Sequence, residues 1–440
     1  MVKRYNGRLY TTALMVLIVI AVSITMMTAA AETAFAEGEP ADGTALPNGE
    51  YTDAIQAVEA SMFSHEPTTY IAHDPDGQEL SGKCGDDVSY KIYGLITWER
   101  YDDPETGPHW SYSDYSSYLG VISGTGPTHD YEKDNVIDWS RVREVVVEEG
   151  VTSIGNNFFN ILNEDNMLKK VTLPESLRSI GAYAFNNSEY LDTVNIPGSV
   201  GYIGDGAFYC CSSLEEITIP EGITAIEEYS FYGLKKIRSI TIPDSVTEIG
   251  QYAFSSCSSL ADVKWGKGLK KIGPCSFGGC AFTELEIPGQ VTYIGRNAFE
   301  VCRKLKKVKI STSVTKIPKE AFYRCEKLTQ VSFPSSSRVT VIDSGAFEGC
   351  KSLKTVTFPK KLKSIKDDTF LGCSKLSTIK LLGKKHPKLQ SYCVFVLDRI
   401  LSKKRTKKIT FRCPNMSKVE KEKFIKYLKK DSIYFFGKVR

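Results

Sequence analysis

The chain has 440 residues, of which 42% are hydrophobic and 25% charged, with a formal net charge of +4. These proportions belong to a folded soluble protein and exclude a wholly disordered or collagen-like chain. The small net charge hides two opposed ends. Residues 37–139 hold 21 Asp and Glu against 4 Lys and Arg, and residues 377–440 hold 19 Lys and Arg against 4 Asp and Glu.

Residues 1–36 read as an export signal. Lys3, Arg4 and Arg8 make a basic start, residues 13–27 an apolar stretch, and Ala34-Phe35-Ala36 a small-x-small cleavage site, with Ala29-Ala30-Ala31 as a second one. The alternative is an uncleaved anchor, for which the apolar run is barely long enough. Either way the body of the protein is expected outside the cytoplasm. Residues 37–78 are acidic and weakly patterned, part linker, with a helix expected over 51–62. Residues 79–141 read as a β-rich N-terminal cap. Within it Trp98, Tyr101, Trp110, Tyr112, Tyr115 and Tyr118 crowd into a short Gly-, Pro- and Ser-containing stretch.

From residue 142 to residue 381 the chain repeats itself. Units open at Val142, Leu168, Leu191, Leu214, Ile237, Leu260, Phe282, Leu305, Leu328, Leu353 and Leu376, and seven of the ten steps are 23 residues. Numbering each unit from its opening residue, Ile240 and Ile242 stand at positions 4 and 6 of the unit from Ile237. That alternation predicts a short strand with one inward face. Pro243 at position 7 ends the strand, since proline has no N–H to donate. Val246 and Ile249 follow at positions 10 and 13, Gly250 at 14, Ala253 and Phe254 at 17 and 18, and Cys257 at 21. The position-14 glycine suits a tight corner. A single unit cannot bury its apolar side alone, so the units must stack.

The string Ile-Pro-x-Ser-Val-Thr-x-Ile-Gly-x-x-Ala-Phe-x-x-Cys over 242–257 resembles the BspA-type (Treponema-type) leucine-rich repeats, and the resemblance covers about residues 142–381. Upstream, Gly82-Lys83-Cys84-Gly85-Asp86-Asp87-Val88 and Ile122-Ser123-Gly124-Thr125-Gly126 look like the β-rich cap that precedes such arrays. The aromatic insert over 93–118 departs from the short hairpin usual there. The resemblance implies a curved leucine-rich-repeat solenoid, here of about eleven units, with surface display, adhesion or partner binding, and no catalytic residues.

Seven of the twelve cysteines, Cys211, Cys257, Cys280, Cys302, Cys325, Cys350 and Cys373, fall at position 21, where Leu162 and Leu234 stand in other units. A slot that accepts Leu or Cys is apolar and buried, so these read as core residues. A Cys393–Cys413 bridge across the C-terminal segment is the one disulfide considered. That segment, residues 382–440, reads as a basic α/β cap. A strand is expected over 407–412, then a capping box at Ser417 and Glu420, then a helix to about Lys430 with Val419, Phe424, Tyr427 and Leu428 inward, and a strand over 432–436. It would close the last strand edge. Its charge also suits an anionic wall polymer or a membrane surface, whereas nucleic acid is not expected as a partner outside the cytoplasm.

Catalysis finds little support. The five histidines, His65, His73, His109, His129 and His386, show no metal-ligand spacing, no serine sits in a nucleophile elbow, and Gly124-Thr125-Gly126 lacks the Lys of a phosphate loop. No cofactor or metal is expected. A partner-binding surface is. Positions 2, 3 and 5 flank the inward strand residues and face the open groove, expected to be the concave side. They hold Glu215, Glu216, Asp262, Glu284 and Glu286 in the middle units and Lys306, Lys307, Lys309 and Lys354 in the later ones, an acid-to-base stripe suited to a protein of complementary charge. The aromatic insert, with Trp98, Tyr101, Trp110 and Tyr112, is the second candidate, for a protein or a glycan. Two rival readings remain at this point: solvated faces on a structural surface protein, and an enzyme with its site in the N-terminal region.

Overall fold

The computed structural model describes residues 69–72, 80–103, 107–131, 137, 139–160, 166–389, 409–430 and 438–440. The export signal, the helix expected over 51–62, the strand expected over 432–436 and Cys393 lie outside them. Thr69–Arg440 forms one unit.

The unit begins with four strands: β1 Thr69–Ala72, β2 Leu80–Lys83, β3 Val88–Asp103 and β4 Gly107–Gly124. The last two form a long antiparallel hairpin, and β1 and β2 pair with β3. The aromatic insert is therefore an extension of the hairpin itself. β4 then runs parallel to Val142–Val147, so the cap continues directly into the repeats. Trp139 is fully buried at this junction. Its indole N–H donates to the Phe158 carbonyl at 3.1 Å, and its ring lies 5.1 Å from that of Phe159.

The repeats wind as a β-solenoid with one coil per unit. Every coil but the one from Leu214 carries a short strand at positions 3–5, whose central residue is buried and whose neighbours face solvent, as in Ser239–Thr241, Asp262–Lys264 and Glu284–Glu286. Two-residue strands at positions 12–13 stack on their counterparts in a second parallel ladder.

A third set of hydrogen bonds runs along the turn that follows. The N–H groups at positions 16, 18 and 20 donate to the carbonyls at 15, 17 and 19 of the next coil. In the coil from Ile237 these are Tyr252 to Pro274, Phe254 to Ser276 and Ser256 to Gly278, at 2.7–2.9 Å. The geometry depends on left-handed backbone at positions 16 and 20, which turns alternate N–H groups along the solenoid axis. Tyr183, Tyr229, Tyr252, Cys275, Asn297, Glu320 and Asp368 hold it at position 16, and Asn187, Cys210, Ser256, Val301 and Arg324 at position 20. The residue identities at these positions are too varied to have revealed this.

The inner surface of the turn is a column of phenylalanines. From Phe159 through Phe185, Phe208, Phe231, Phe254, Phe277, Phe299, Phe322 and Phe347 to Phe370, successive rings lie nearly parallel, 5.0–6.0 Å apart.

The position-14 glycines have a different cause from the tight corner expected. None of Gly155, Gly181, Gly204, Gly250, Gly273 and Gly295 has positive φ. What excludes a side chain is the coil before: a Cβ on Gly295 would lie 2.3 Å from the Pro274 nitrogen, and one on Gly181 would lie 2.6 Å from the Asn156 nitrogen. The glycine is set by inter-coil spacing.

The position 3–5 ladder is interrupted three times. Residues 216–218 form no strand. The break before Glu284–Glu286 follows the 22-residue step, and the break before Thr355–Phe358 follows the 25-residue step. The position 12–13 ladder breaks twice, between Tyr202–Ile203 and Ala225–Ile226 and between Tyr293–Ile294 and Lys316–Ile317. Between the coils from Leu191 and Leu214 the turn bonds persist, with Gly206, Phe208 and Cys210 donating to Glu228, Ser230 and Tyr232.

At the C-terminus Thr410–Arg412 adds to the position 3–5 sheet, and Lys438–Val439 pairs with it in parallel. Helix α1, Lys418–Lys430, is capped by the Ser417 hydroxyl, which accepts the Glu420 N–H at 3.2 Å. Phe424 and Leu428 are buried as expected, but Val419 is 58% exposed. Five residues before Phe424, it sits well around the helix from the inner stripe.

Gly295→Ala is expected to destabilise the protein by about 1–3 kcal/mol, because backbone of the preceding coil occupies the methyl's place. Gly198→Ala, which has nothing within 4 Å, is the matched control. Denaturant unfolding of the two variants checks the difference.

Candidate functional site

Before a binding face is assigned, the reactive side chains must be placed. All seven position-21 cysteines are buried and free. Each thiol lies on the carbonyl of the column phenylalanine in the coil before: Cys211 on Phe185, Cys257 on Phe231, Cys280 on Phe254, Cys302 on Phe277, Cys325 on Phe299, Cys350 on Phe322 and Cys373 on Phe347, at 3.1–3.3 Å. The slot is thus apolar with one weak donor to spend, which Leu234 fills without the donor. Burial pushes the Cys257 and Cys373 thiols up to about 12, so neither is a nucleophile near neutral pH. Cys413 is buried and free as well, and Cys393, the partner considered for it, lies outside the described residues. Among the described residues no three His, Cys, Asp or Glu side chains group as metal ligands.

The strand face holds the sequence-predicted charged residues. Glu215, Glu216, Asp262, Glu284, Glu286, Lys306, Lys307, Lys309 and Lys354 are all exposed. Three ion pairs involve them, two of these between equal positions of adjacent coils. Lys307 meets Glu284 at 2.7 Å, Lys309 meets Glu286 at 2.5 Å, and Lys236 meets Glu215 at 3.4 Å. Parallel in-register stacking puts equal positions side by side, so an acidic coil beside a basic one neutralises itself. Glu216, Asp262, Lys306 and Lys354 form no ion pair among the described residues.

A shallow depression of about 1000 Å³ opens on this face where residues 216–218 leave the ladder. It is lined by Glu215, Glu216, Thr218, Lys236, Arg238 and Thr241, over the buried Ile217 and Ile219. Sequence reasoning missed Lys236 and Arg238, since the coil from Leu214 repeats the same apolar pattern as its neighbours and gives no sign that its strand is unpaired.

The aromatic insert is placed by its backbone. The hairpin register sets Trp98 opposite Tyr112, Trp110 opposite Arg100 and Tyr101 opposite His109. The side chains of these residues lie outside the described part of the structure. A second aromatic cluster, not anticipated, lies on the turn at positions 16 and 19. Tyr209 stacks on Tyr232 at 4.7 Å and Tyr229 on Tyr252 at 4.8 Å, and Tyr229 meets Tyr209 and Tyr232 edge-on.

A family model described as "BspA type Leucine rich repeat region", with six copies, matches residues 133–261, 247–377 and 336–437. The chain belongs to the BspA-type leucine-rich-repeat family. A leucine-rich repeat protein from Bacteroides ovatus ATCC 8483 is 21% identical. It covers 78% of this chain and 98% of its own, with a TM-score of 0.51. A leucine-rich repeat protein from Eubacterium ventriosum ATCC 27560 is 24% identical over 75% of this chain and 100% of its own, with a TM-score of 0.42. No curated protein matches the sequence.

Two measurements check this inventory. The raised thiols predict a loss of stability at alkaline pH. Below 9.0 both folded and unfolded states keep the Cys257 proton; between 9.0 and about 12 only the unfolded chain releases it, so folding weakens as pH rises. Cys257→Ala is expected to show a shallower alkaline decline in unfolding free energy than the parent. Lys307→Ala is expected to cost no more than about 1 kcal/mol, falling with added salt, because both partners of its pair are exposed.

Proposed function

We propose that this protein is a non-enzymatic binding protein held or released outside the cytoplasm, recognising a protein partner through the strand face of its solenoid. The observation that carries this reading is the division of labour within each coil. Buried positions repeat the same residues and make the same bonds, whereas exposed positions 2, 3 and 5 differ from coil to coil on one continuous surface. Recognition needs variation on a rigid frame, and that face supplies it. The uncompensated residues Glu216 and Asp262 lie toward the N-terminal side and Lys306 and Lys354 toward the C-terminal side. A partner of opposite polarity would be steered in one orientation.

Support for the location comes from residues 1–36, which carry the pattern of an export signal. Among the described residues no helix is long and apolar enough to cross a membrane. Lysines of the last coils and α1 that form no ion pair among the described residues, such as Lys360, Lys361 and Lys426, would favour an anionic wall polymer as a second contact. The cross-coil pairs at Glu284 and Glu286 favour one other reading, a structural surface protein in which these charges only tie coils together.

The test is retention of extracellular proteins on the immobilised protein, compared with a Lys306→Glu/Lys354→Glu variant of equal melting temperature. Loss of a specific band that returns when salt is lowered supports strand-face recognition. Identical retention by both proteins would show that this face is not the contact.

A further inference from the structure

The turn side of the solenoid carries a feature that strand-face recognition does not use. In the four coils from Leu168 to Ile237, position 16 is Tyr183, Gly206, Tyr229 and Tyr252, and position 19 adds Tyr209 and Tyr232. A Cβ on Gly206 would lie 2.4 Å from the Tyr183 ring, which therefore covers that glycine and continues the row. Tyr183 is 38% exposed and the other four are half-buried, so the row forms a ridge open to solvent.

Position 16 is a costly place for tyrosine. Tyr183, Tyr229 and Tyr252 have φ of 55°, 55° and 56°, a conformation that glycine and asparagine adopt far more readily. Asn157, Asn297 and Gly345 hold it in other coils. The turn thus needs the conformation and does not need the ring.

Carboxylates flank the ridge. Asp205 and Glu228 stack at position 15, where Asp205 accepts the Glu228 N–H at 3.1 Å and Glu228 accepts from the Gln251 amide at 2.9 Å. Glu227 stands beside them at position 14, its carboxyl raised by burial and by the nearby Asp205 and Glu248. Among the described residues none of Asp205, Glu227 and Glu228 has a basic partner.

One later coil shows what completes such an arrangement. Arg324, at position 20, lies over the ring of Tyr323, at position 19, with its guanidinium carbon 5.1 Å from the ring centroid. In the tyrosine coils the residues matching Arg324 are Cys210 and Gly233, so Tyr209 and Tyr232 have the aromatic half of that contact without the cation.

We propose that the Tyr183–Tyr252 ridge docks an arginine-bearing extended segment of a partner protein, its guanidinium groups resting on the tyrosines and balanced by Asp205, Glu227 and Glu228. A guanidinium group needs a ring face, as Arg324 finds on Tyr323, and a countercharge, which Asp205, Glu227 and Glu228 supply and a neutral pyranose ring would not use. This is a separate surface from the strand face.

The test is fluorescence anisotropy of the purified protein with a labelled peptide of alternating Arg and Ser, beside the same peptide with citrulline for Arg. The Arg peptide is expected to bind in a salt-sensitive way and the citrulline peptide far more weakly. Tyr229→Asn/Tyr252→Asn keeps a residue suited to the backbone, and is expected to hold the melting temperature while weakening binding about tenfold. Gly233→Arg, which supplies the chain's own guanidinium at the position of Arg324, is expected to block the peptide. The Lys306→Glu/Lys354→Glu protein is expected to bind the peptide like the parent, which separates this site from the strand face. Absence of Arg-peptide binding, or binding that the Tyr→Asn and Gly233→Arg variants leave unchanged, overturns the proposal. So does binding of neutral glycans, in place of the peptide, that the Tyr→Asn variant abolishes.

Discussion

Every coil depends on the hydrogen bonds that run along the turn, from positions 16, 18 and 20 of one coil to 15, 17 and 19 of the next. They are continuous from Asn157 to Gly349 while both strand ladders are interrupted. The left-handed residues that aim these N–H groups carry a conformational cost of order 1 kcal/mol each. The return is a satisfied backbone beside the buried phenylalanine column, where an unpaired N–H would cost more. The phenylalanine column lies just inside, at a ring separation that coil spacing imposes. The position-14 glycines permit the same close approach at the neighbouring corner. Spacing, column and glycine are three expressions of one distance.

With that distance fixed, the chemistry of each side chain follows from which way it points. A cysteine at position 21 becomes a small apolar filler whose thiol meets a carbonyl, and its raised pKa takes it out of nucleophilic chemistry. A lysine at position 3 becomes a neighbour of whatever occupies position 3 one coil earlier. This is why Lys307 and Lys309 are paired with Glu284 and Glu286 while Lys306, at position 2, is not. Asp343 shows the same logic at position 14, with Lys316 from the coil before and Lys366 from the coil after both on its carboxylate. Burial raises that carboxyl, but the two lysines and the Ser344 N–H bring it below the ordinary range.

The coil count, the first strand of the coil, the inward residues and the buried cysteines were legible in the sequence because they rest on a period and on hydrophobicity; the second strand, two residues long, was not anticipated. The left-handed turn positions were not legible. Tyr, Cys, Asn, Glu, Asp, Val and Arg all adopt that conformation here, so the backbone requirement leaves no consistent residue type. Glycine at position 14 was visible but its reason was not, since a collision with another coil has no signature within one unit. The charged residues expected on the strand face are exposed there. Their partial cancellation depended on register between coils, which the alignment of units already contained: residues 23 apart are lateral neighbours, so Glu284 and Lys307 had to meet. The tyrosine ridge escaped notice because its members are spaced across four units and none stands in a recognisable motif.

The junction between the coils from Leu191 and Leu214 has a mechanical consequence. Both strand ladders stop there and the turn bonds continue, so the first three coils are tied to the rest by backbone hydrogen bonds along one side only. Such a joint bends more easily about the bonded side than any neighbouring junction, as a door moves on its hinge edge. Amide exchange with solvent, which follows local opening, should begin at this seam and spread outward in both directions. The depression at 216–218 accordingly lies on the side without strand bonds, and the stacked Tyr209 and Tyr232 lie on the bonded side.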